Sequence, residues 1–376
     1  MAALTVGVIG AGTISQSIHL PSIRRVGLNL VYVCDLSPSR AAEVAQQNGV
    51  RGTTDPHVIF ADPTVDAVII ATPGSHAEIA AAAIRANKHV LIEKPVALTV
   101  ADIDELESLA IEYRRVAQVG YMKMYDPLAV VAASELSKLK GRRLVRVTVA
   151  HPADFPQTSH LRMRPALPDA DMIEIARAEA VEIEKSKQAL PGATPELLEY
   201  YRNVLQGSVV HELSVLRSLG LPLPARWSAR VFPQLGGAEP SCLLAEGSVG
   251  DVLYILSWNW LPDFPEYDEE VKILAANGRF EYHLGKPYLL EERSHLRIDR
   301  HDGLRRIGTE YTDTFETGFL RQLDAFSQAI TDTEAGRPVT MMADLAGARE
   351  DIVQLQRIAQ AIGESLGIDV HTEMKA

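Results

Sequence analysis

The sequence has little cysteine and no long apolar run. Its 376 residues include two cysteines, Cys34 and Cys242, and Cys34 lies in a predicted buried strand. Two isolated cysteines of this kind indicate neither a disulfide nor a zinc site. The first residues lack the basic and apolar regions of a signal peptide, and no apolar run is long enough to span a bilayer. We therefore expect a cytoplasmic protein without a bound metal.

Positive charge is also in short supply. Lys and Arg number 37 against 49 Asp and Glu, which gives a formal net charge of −12. Such a field repels nucleic acid and anionic membranes, so we expect neither as a partner. The composition is otherwise that of an ordinary soluble enzyme, and a chain of this length exceeds one ordinary core, which favours two domains.

The first third of the chain alternates short apolar runs with amphipathic stretches. Val, Ile and Leu runs between helices are typical of a parallel sheet that is covered on both faces. The predicted helices include Glu78–Ala86 and Ala101–Tyr113. The predicted strands are Leu4–Ile9, Leu30–Cys34, Ala67–Ala71, His89–Ile92 and Val116–Val119. We predict an α/β, doubly wound Rossmann domain over residues 1–124.

The remainder, residues 125–376, has a different texture. Short alternating runs separated by turn residues predict a large, open, mostly antiparallel sheet in an α+β domain. Its predicted strands are Arg143–Ala150, Trp227–Phe232, Val252–Trp260, Glu270–Ala275, Gly278–His283 and Tyr288–Glu291. Its predicted helices are Leu128–Leu139, Thr317–Asp332 and Met342–Ile362. A charge-rich helical insertion, at about 169–205, is either a lid, an oligomer contact or a solvated decoration.

A glycine-rich turn follows the first predicted strand. Gly10 permits a tight turn, and Gly12 lets the backbone approach a pyrophosphate at the start of the next helix. Ser15 is small enough for the close packing that a third glycine allows in such turns. Strand, turn and helix in this order predict a dinucleotide site that includes Thr13 and Ile14. The alternative is a tight turn without a ligand.

Asp35 ends the second predicted strand, where dinucleotide-binding folds hold the adenosine ribose. A carboxylate there accepts hydrogen bonds from the ribose hydroxyls and repels a 2′-phosphate. Leu36 follows, not an arginine, so we expect NAD rather than NADP. The alternative is a turn aspartate before Ser37-Pro38.

Glu93-Lys94-Pro95 closes the predicted strand His89–Ile92. Parallel sheets bind ligands at the carboxyl ends of their strands, and the proline restricts the residue before it. Lys94 can therefore orient a substrate hydroxyl or, with a lowered pKa, act as a base. The alternative is an ion pair with Glu93.

Thr72-Pro73 follow the neighbouring strand at the same edge of the sheet. His76 is either a ligand contact at this edge or a surface histidine at a helix start. The predicted cofactor-binding residues are Gly10, Gly12, Thr13, Ile14, Asp35, Thr72, Pro73, His76, Glu93 and Lys94.

These motifs together resemble the glucose–fructose oxidoreductase / inositol dehydrogenase / rhizopine catabolism (Gfo/Idh/MocA) family. The matching motifs are Gly10-Ala11-Gly12, Asp35, Thr72-Pro73, Glu93-Lys94-Pro95 and Val119-Gly120-Tyr121. The resemblance implies a Rossmann domain, a C-terminal sheet domain, NAD(P), hydride transfer on sugars or polyols, and homodimers or homotetramers.

The resemblance also implies a catalytic set, which is the motif lysine plus an aspartate and a histidine on one helix. Lys94 and His211 match the lysine and the histidine, but Gly207 stands where the aspartate belongs. Without that carboxylate, His211 is a weaker base, or another group replaces the aspartate. Met124 is a second departure, since many members have an arginine there, although Lys123 is adjacent.

A basic cluster lies where the substrate loops of this family fall. It consists of His160, Arg162 and Arg164. Arginine binds carboxylate, phosphate or sulfonate groups through its planar fork, so the cluster predicts an anionic substrate; the alternative is a solvated loop or partners for the insertion. The predicted substrate-binding residues, any of which could instead be packing, are Tyr121, Lys123, Tyr125, Arg162, Arg164, His211, Trp260 and Tyr267.

The leading hypothesis is an NAD-dependent oxidoreductase that takes a hydride from a cyclic sugar, polyol or glycoside. His211 accepts the hydroxyl proton and Lys94 positions the oxygen. The first alternative is an NAD-dependent glycoside hydrolase that works by transient ring oxidation, elimination, water addition and re-reduction. Its suggested substrate is an anionic glycoside such as a sulfoquinovoside. The second alternative is a non-catalytic sugar or dinucleotide sensor.

Overall fold

The computed structural model describes residues 3–164, 169–289, 292–312 and 316–373. Within these ranges, no helix is both long and apolar enough to cross a membrane. The same residues contain no group of three or more His, Cys, Asp and Glu side chains placed to hold a metal ion.

The chain forms two compact units. The first comprises Met1–Met122, Leu161–Ser186 and Phe319–Glu350, and the second comprises Lys123–His160, Lys187–Gly318 and Asp351–Ala376. The predicted division after residue 124 lies close to the first break between the units. Two later segments, 161–186 and 319–350, belong with the N-terminal sheet and not with the second sheet.

The described residues form α-helices and β-strands with the following bounds. The helices are α1 (Leu20–Arg25), α2 (Pro38–Asn48), α3 (Pro56–Ala61), α4 (Ala77–Arg85), α5 (Val100–Tyr113), α6 (Ala129–Ser137), α7 (Asp154–Thr158), α8 (Met172–Ala189), α9 (Pro195–Tyr200), α10 (Val210–Ser218), α11 (Gly318–Glu334) and α12 (Leu345–Leu366). The strands are β1 (Thr5–Ile9), β2 (Asn29–Cys34), β3 (Arg51–Thr53), β4 (Ala67–Ile70), β5 (His89–Ile92), β6 (Ala117–Val119), β7 (Arg142–His151), β8 (Trp227–Phe232), β9 (Cys242–Val249), β10 (Val252–Trp260), β11 (Asp268–Ala275), β12 (Gly278–His283), β13 (His295–Asp302) and β14 (Arg305–Thr312).

The first unit is built on a six-stranded parallel sheet with the order β3-β2-β1-β4-β5-β6. This is the doubly wound order, and its switch point lies between β1 and β4. The central strands are fully buried because their apolar runs face helices on both sides. The apolar face of α11, with Leu323 and Phe326 each 1% exposed, packs into the same core. The predicted Rossmann fold is confirmed.

The second unit is built on an eight-stranded sheet with the order β14-β13-β12-β11-β7-β10-β9-β8. Neighbouring strands are antiparallel except β7 and β10, which are parallel. The predicted mostly antiparallel sheet is therefore confirmed. Alternate residues of β8 are buried and exposed, as the period of a strand with one covered face requires.

One predicted strand does not form. In the segment Tyr288–Glu291, Tyr288 lies in a turn and Leu289 is outside any strand, while residues 290 and 291 lie outside the described residues. Short apolar runs are ambiguous, and here Gly285 and Pro287 introduce a turn. The strands β3, β9, β13 and β14 were not predicted from the sequence.

Several helices begin at a side-chain cap, and three of these caps share one pattern. Ser37, Thr99 and Thr194 each accept a hydrogen bond from the backbone N–H three residues on, at the starts of α2, α5 and α9. Helical structure then continues from α9 through the π-helical segment Tyr201–Val209 into α10. This continuous stretch carries His211.

Candidate cofactor and substrate sites

The glycine turn after β1 lies at the switch point of the first unit's sheet. Gly10 has a φ of +94°, and a Cβ atom there would lie 2.4 Å from the carbonyl oxygen of Ala71. No other residue fits this conformation and this close approach. Ser15 is fully buried, and its Oγ donates to the Gly10 carbonyl at 2.5 Å, so it braces the turn.

Gly12 has a different reason to be a glycine. Its φ is not in the left-handed region, and a Cβ atom there would meet no described atom within 4 Å. Neither strain nor packing within the protein therefore requires its missing side chain. In dinucleotide turns, the second glycine leaves open space of this kind for the pyrophosphate. The hydroxyl Oγ1 of Thr72, after β4, is buried and has no hydrogen-bond partner among the described residues. These residues fit a bound dinucleotide.

Asp35 is half-buried at the carboxyl end of β2, as a ribose-binding carboxylate requires. Its Oδ2 accepts from the backbone N–H of Ala11 at 2.9 Å, and its Oδ1 accepts from that of Ser37 at 2.9 Å. The guanidinium of Arg40 lies 3.4 Å from Oδ2. These bonds fix the carboxylate between the glycine turn and the start of α2.

Glu93, in the Glu-Lys-Pro motif, is bound to a histidine that the sequence analysis did not select. The carboxylate is 6% exposed, and its Oε1 lies 2.8 Å from Nε2 of His19, which is 1% exposed. Burial opposes ionisation of Glu93, but the hydrogen bond from His19 and the charges around it hold its pKa below the ordinary value. Gly120 packs against this group, since a Cβ there would lie 2.9 Å from Glu93 Cα.

Lys94 follows Glu93 at the end of β5 and is half-buried. Its backbone N–H donates to Glu93 Oε2 at 3.2 Å, and the Lys94–Pro95 peptide is cis. The carboxylate of Glu93 thus braces both the backbone of Lys94 and the helix that carries His19.

His76 lies in a bracing position within the first unit. It is 1% exposed, and its Nδ1 and Nε2 lie 2.7 Å and 2.8 Å from the carbonyl oxygens of Pro95 and Thr72. Burial lowers the pKa of the imidazole. The ring forms hydrogen bonds with the loop after β4 and the loop after β5. His76 is therefore a buried residue that links two loops, and not a surface histidine. A direct contact between His76 and the cofactor stays a prediction.

His211 lies in the second unit, in the first turn of α10, and is half-buried. Gly207 lies one turn earlier, in the π-helical segment, without a positive φ. A Cβ atom at Gly207 would lie 3.6 Å from the carbonyl oxygen of Arg202, which is ordinary van der Waals contact. The backbone would therefore accept a Cβ atom here, so contact with the backbone does not by itself require glycine.

A buried charged cluster surrounds Lys123 in the second unit. Its Nζ contacts a carboxylate oxygen of Glu269, lies 3.5 Å from Glu212 Oε1 and lies 3.2 Å from the hydroxyl of Tyr267. Tyr267 donates to Glu269 Oε2 at 2.7 Å. Both carboxylates are 0% exposed. The structure thus brings together Lys123 and Tyr267, two predicted substrate residues, beside the neighbour of His211.

Burial changes the acidity of this cluster. It raises the pKa of Glu212 to about 8; Lys123 opposes the rise, and the nearby charge of Glu269 adds to it. Burial and the carboxylate of Glu269 also raise the pKa of the Tyr267 phenol well above its ordinary value. One lysine cannot neutralise two buried carboxylates, so a proton is held by this cluster at neutral pH.

Trp260 is part of an aromatic group at one end of the central strands. The ring of His151, at the end of β7, stacks on Trp260 with centroids 5.4 Å apart and an interplanar angle of 25°. The ring of Tyr267 meets that of His151 edge-on, with centroids 5.5 Å apart. Trp258 completes it, and its Nε1 donates to Ser208 Oγ on the helical stretch of His211 at 2.9 Å. Flat aromatic surfaces of this kind suit the apolar faces of sugar rings.

The other predicted substrate residues have different surroundings. Tyr121 and Tyr125 are 2% and 6% exposed, which agrees with the packing alternative. Arg162 and Arg164 are exposed and belong to the first unit. The backbone of Arg164 exchanges two hydrogen bonds with the Gln16 side chain, at 2.6 Å and 2.9 Å, and its guanidinium lies 3.4 Å from Glu43. Arg164 is therefore held by the Rossmann unit.

The structure adds four groups that sequence reasoning missed: His19, His151, Glu212 and Glu269. Each acts through a partner distant along the chain, as His19 does with Glu93 and Glu269 does with Lys123. No local motif marks such pairs. A buried Glu directly after His211 was the one available signal, because a charged residue in an apolar helical pattern requires a partner.

Comparison with known proteins agrees with this geometry. Residues 4–121 match the family model described as oxidoreductase family, NAD-binding Rossmann fold. A myo-inositol 2-dehydrogenase from Thermotoga maritima is 31% identical over 162 residues, which cover 41% of this chain and 47% of that protein. The chain thus matches less than half the length of this curated relative.

Solved structures match over nearly the whole chain, at low identity. The UDP-N-acetylglucosamine 3-dehydrogenase of Acidithiobacillus ferrooxidans has a TM-score of 0.68 at 20% identity, over 97% of this chain and 100% of that one. A 3-ketoreductase from Actinomadura kijaniata, in complex with NADP, has a TM-score of 0.66 at 17% identity, over 96% of this chain and 97% of that one. At these identities, the likeness is one of fold.

Proposed function

We propose that this protein belongs to the Gfo/Idh/MocA oxidoreductase family, whose NAD-binding Rossmann model matches residues 4–121, and that it is an NAD(P)-dependent oxidoreductase of a cyclic sugar or polyol. The observation that carries the proposal is the glycine turn at the switch point of the sheet. Gly10 is required by the fold, whereas Gly12 leaves open space beside the backbone that a pyrophosphate explains. Inositol and sugar enzymes among the related proteins support a carbohydrate substrate.

The first unit supplies the groups that hold the cofactor. Asp35 would hold the ribose hydroxyls, and the helical stretch that begins at Thr13 and continues through the π-helical segment Ser15–His19 would hold the pyrophosphate. A bound nicotinamide would supply the hydride acceptor. Lys94, set at the end of β5 by the bonds of Glu93, orients the substrate oxygen and stabilises its developing negative charge.

The second unit supplies the base and the sugar-binding surface. His211 takes the hydroxyl proton as the hydride leaves. The half-buried rings of His151 and Trp260 bind an apolar face of the sugar ring, and the buried Trp258 packs against both. The cluster of Lys123 contacts the helix of His211 through Glu212.

Turnover assays of the purified protein with NAD⁺ or NADP⁺ and a panel of inositols, hexoses and glycosides test the proposal. We expect nucleotide reduction in proportion to oxidised product. Lys94→Ala should lower kcat by about a hundredfold or more while dinucleotide binding persists, since one positioned acid–base or charge-stabilising group contributes that much. The exposed Lys140→Ala is the matched control and should retain full turnover. Equal turnover by Lys94→Ala and the wild type would remove the assignment.

A second candidate function is a glycoside hydrolase that uses NAD without net redox. The observation that favours it is Gly207, which stands where the family pattern has an aspartate, although a Cβ there would make only ordinary contact. Hydrolysis by transient oxidation needs a proton taken from carbon as well as from oxygen. In this case, a chromogenic glycoside is cleaved, no reduced nucleotide accumulates, and solvent deuterium enters the carbon next to the oxidised one. Accumulation of reduced nucleotide with product excludes this candidate. If the protein neither cleaves nor oxidises any compound of the panel, that result favours a non-catalytic sensor.

A further inference from the structure

The carboxylate of Asp169 occupies the start of α2, beside the predicted adenosine ribose site. Its Oδ1 accepts from Ser37 Oγ at 2.6 Å, and its Oδ2 accepts from the backbone N–H of Ser39 at 3.0 Å and from Ser39 Oγ. Hydrogen bonds from both serines also hold the pKa of Asp169 below its ordinary value. Asp169 belongs to the 161–186 segment of the first unit, 130 residues along the chain from Ser39.

Ser37 connects this carboxylate to the ribose-binding one. Its backbone N–H donates to Asp35 Oδ1, and its hydroxyl donates to Asp169 Oδ1. In dinucleotide-binding folds, the carboxylate at the end of β2 binds the ribose 2′-hydroxyl, and a nearby Arg accommodates a 2′-phosphate. Arg40, the nearby Arg in this chain, lies 3.4 Å from Asp35. Donors at a helix start next to that hydroxyl are what a 2′-phosphate would use.

We infer that Asp169 is an internal substitute for the 2′-phosphate and selects NAD over NADP. It satisfies the hydroxyls of Ser37 and Ser39 and the N–H of Ser39, and it places a second negative charge beside Asp35. NADP⁺ must displace this carboxylate or bind against its charge, whereas NAD⁺ brings only a hydroxyl group. The inference rests on the proposed dinucleotide binding and assigns its specificity to a residue outside the glycine turn and the β2 end.

Other parts of the same segment hold it in place. The backbone N–H of Asp171 donates to the Leu36 carbonyl at 3.2 Å, and Asp171 Oδ1 caps the start of α8 by accepting from Ile173 and Glu174. The side chain of Asp171 therefore serves its own helix, while that of Asp169 serves α2. The two aspartates lie two positions apart in the sequence and carry the same charge. Asp171 is therefore the matched control for Asp169.

Calorimetric titration of the nucleotide-free full chain with NAD⁺ and with NADP⁺ tests the inference. The variants are Asp169→Ser, which removes the carboxylate, Asp169→Asn, which keeps its shape, and Asp171→Asn. The wild type should bind NAD⁺ more tightly. Asp169→Ser should shift the ratio of the two dissociation constants toward NADP⁺ by about tenfold or more, the effect of one charge-assisted contact. Asp169→Asn should shift it in the same direction, and Asp171→Asn should leave it unchanged.

The outcomes separate this inference from the proposed function. If the wild type binds neither nucleotide, the proposed function fails. If the wild type binds NAD⁺ but the ratio is the same in both Asp169 variants, Asp169 is only a structural cap and the inference is overturned. If the Asp169 variants lose affinity for NAD⁺ and NADP⁺ equally, the inference is also overturned. Should Asp169→Ser melt at a much lower temperature, the isosteric Asp169→Asn decides.

Discussion

At the residue scale, the most unusual group is the buried cluster of Lys123, Glu212, Glu269 and Tyr267. Removing charges from water is costly, and an ion pair compensates only where the geometry is good and the remaining lone pairs are satisfied. Glu212 does not meet these conditions. Lys123 contacts Glu269 more closely than it contacts Glu212, and neither carboxylate oxygen of Glu212 has a side-chain hydrogen bond among the described residues. Its pKa of about 8 follows from burial. Buried polar groups beside a predicted catalytic histidine are typical of sites where fixed geometry takes precedence over stability.

Glu212 makes the stability of the protein depend on pH. Between the ordinary pKa of 4.5 and the raised pKa of about 8, the folded protein holds a proton that the unfolded chain releases. The contribution of Glu212 to the free energy of unfolding therefore falls as pH rises through this window, by at most about 1.4 kcal/mol per pH unit. Denaturant titrations at several pH values should show that the free energy of unfolding declines less with rising pH in Glu212→Gln than in the wild type. The exposed Glu179→Gln is the control and should follow the wild type; an equal decline in Glu212→Gln would refute the assignment.

At the element scale, the 161–186 segment, which includes most of the charged helix α8, is held in the Rossmann unit by polar contacts. Its backbone and polar side chains contact successive loops at the carboxyl edge of the sheet. Arg164 is held by Gln16 after the glycine turn, Asp169 by the start of α2, and Glu182 by the loop after β4. The Oε1 of Glu182 accepts from the backbone N–H of Ser75 at 2.9 Å. This segment therefore supports the loops that we assign to cofactor binding.

Glu182 provides the test of this support. Glu182→Ala leaves the N–H of Ser75 without its acceptor and loosens the loop that carries Thr72. We expect NAD⁺ to bind roughly tenfold more weakly, as the loss of one charge-assisted hydrogen bond predicts. Stopped-flow measurement of NAD⁺ release should place most of the change in a faster dissociation rate. The same measurement on Glu179→Ala, an exposed residue of α8, should give the wild-type rate. An unchanged release rate in Glu182→Ala would show that the segment does not support the loop.

Elements with a strong periodic pattern could be predicted from the sequence, and weakly patterned ones could not. The predicted strands His89–Ile92, Trp227–Phe232, Val252–Trp260 and Gly278–His283 have the bounds that the structure gives them. The strand β14 could not be found in this way, because most of its residues are exposed and polar. The glycine turn and Asp35 could be found because their chemistry is local, whereas Asp169 meets Ser39 only in the folded chain. The contact between Asp169 and Ser39 could therefore be found only in the structure.

At the scale of the whole molecule, the second sheet presents an apolar row on its less buried face. Leu144 of β7 pairs with Leu253 of β10 and with Leu274 of β11, so the three side chains stand side by side. Leu253 and Leu274 are 45% and 38% exposed. Adjacent exposed leucines on a sheet favour association. We therefore propose that the protein is a homodimer or homotetramer that uses this face.

Sedimentation analysis of a single substitution tests this assembly. The wild type should have two or four times the 41.1 kDa mass of one chain. Leu253→Asp should shift it toward the monomer, because a charge in the apolar row would be buried without a partner. Ile111→Asp, at a 72% exposed position of α5 in the other unit, should leave the mass unchanged. A monomeric wild type, or an unaltered mass in Leu253→Asp, would contradict the proposal.

The account depends on a dinucleotide beside the glycine turn, and a calorimetric titration of nucleotide-free wild type and Gly12→Val with NAD⁺ tests this most directly. No described atom lies within 4 Å of a Cβ at position 12, so the valine should leave the melting temperature unchanged while filling the space of the pyrophosphate. We predict clear binding to the wild type and none to Gly12→Val. A wild type that binds no dinucleotide, or a variant that binds it equally well, would contradict the account.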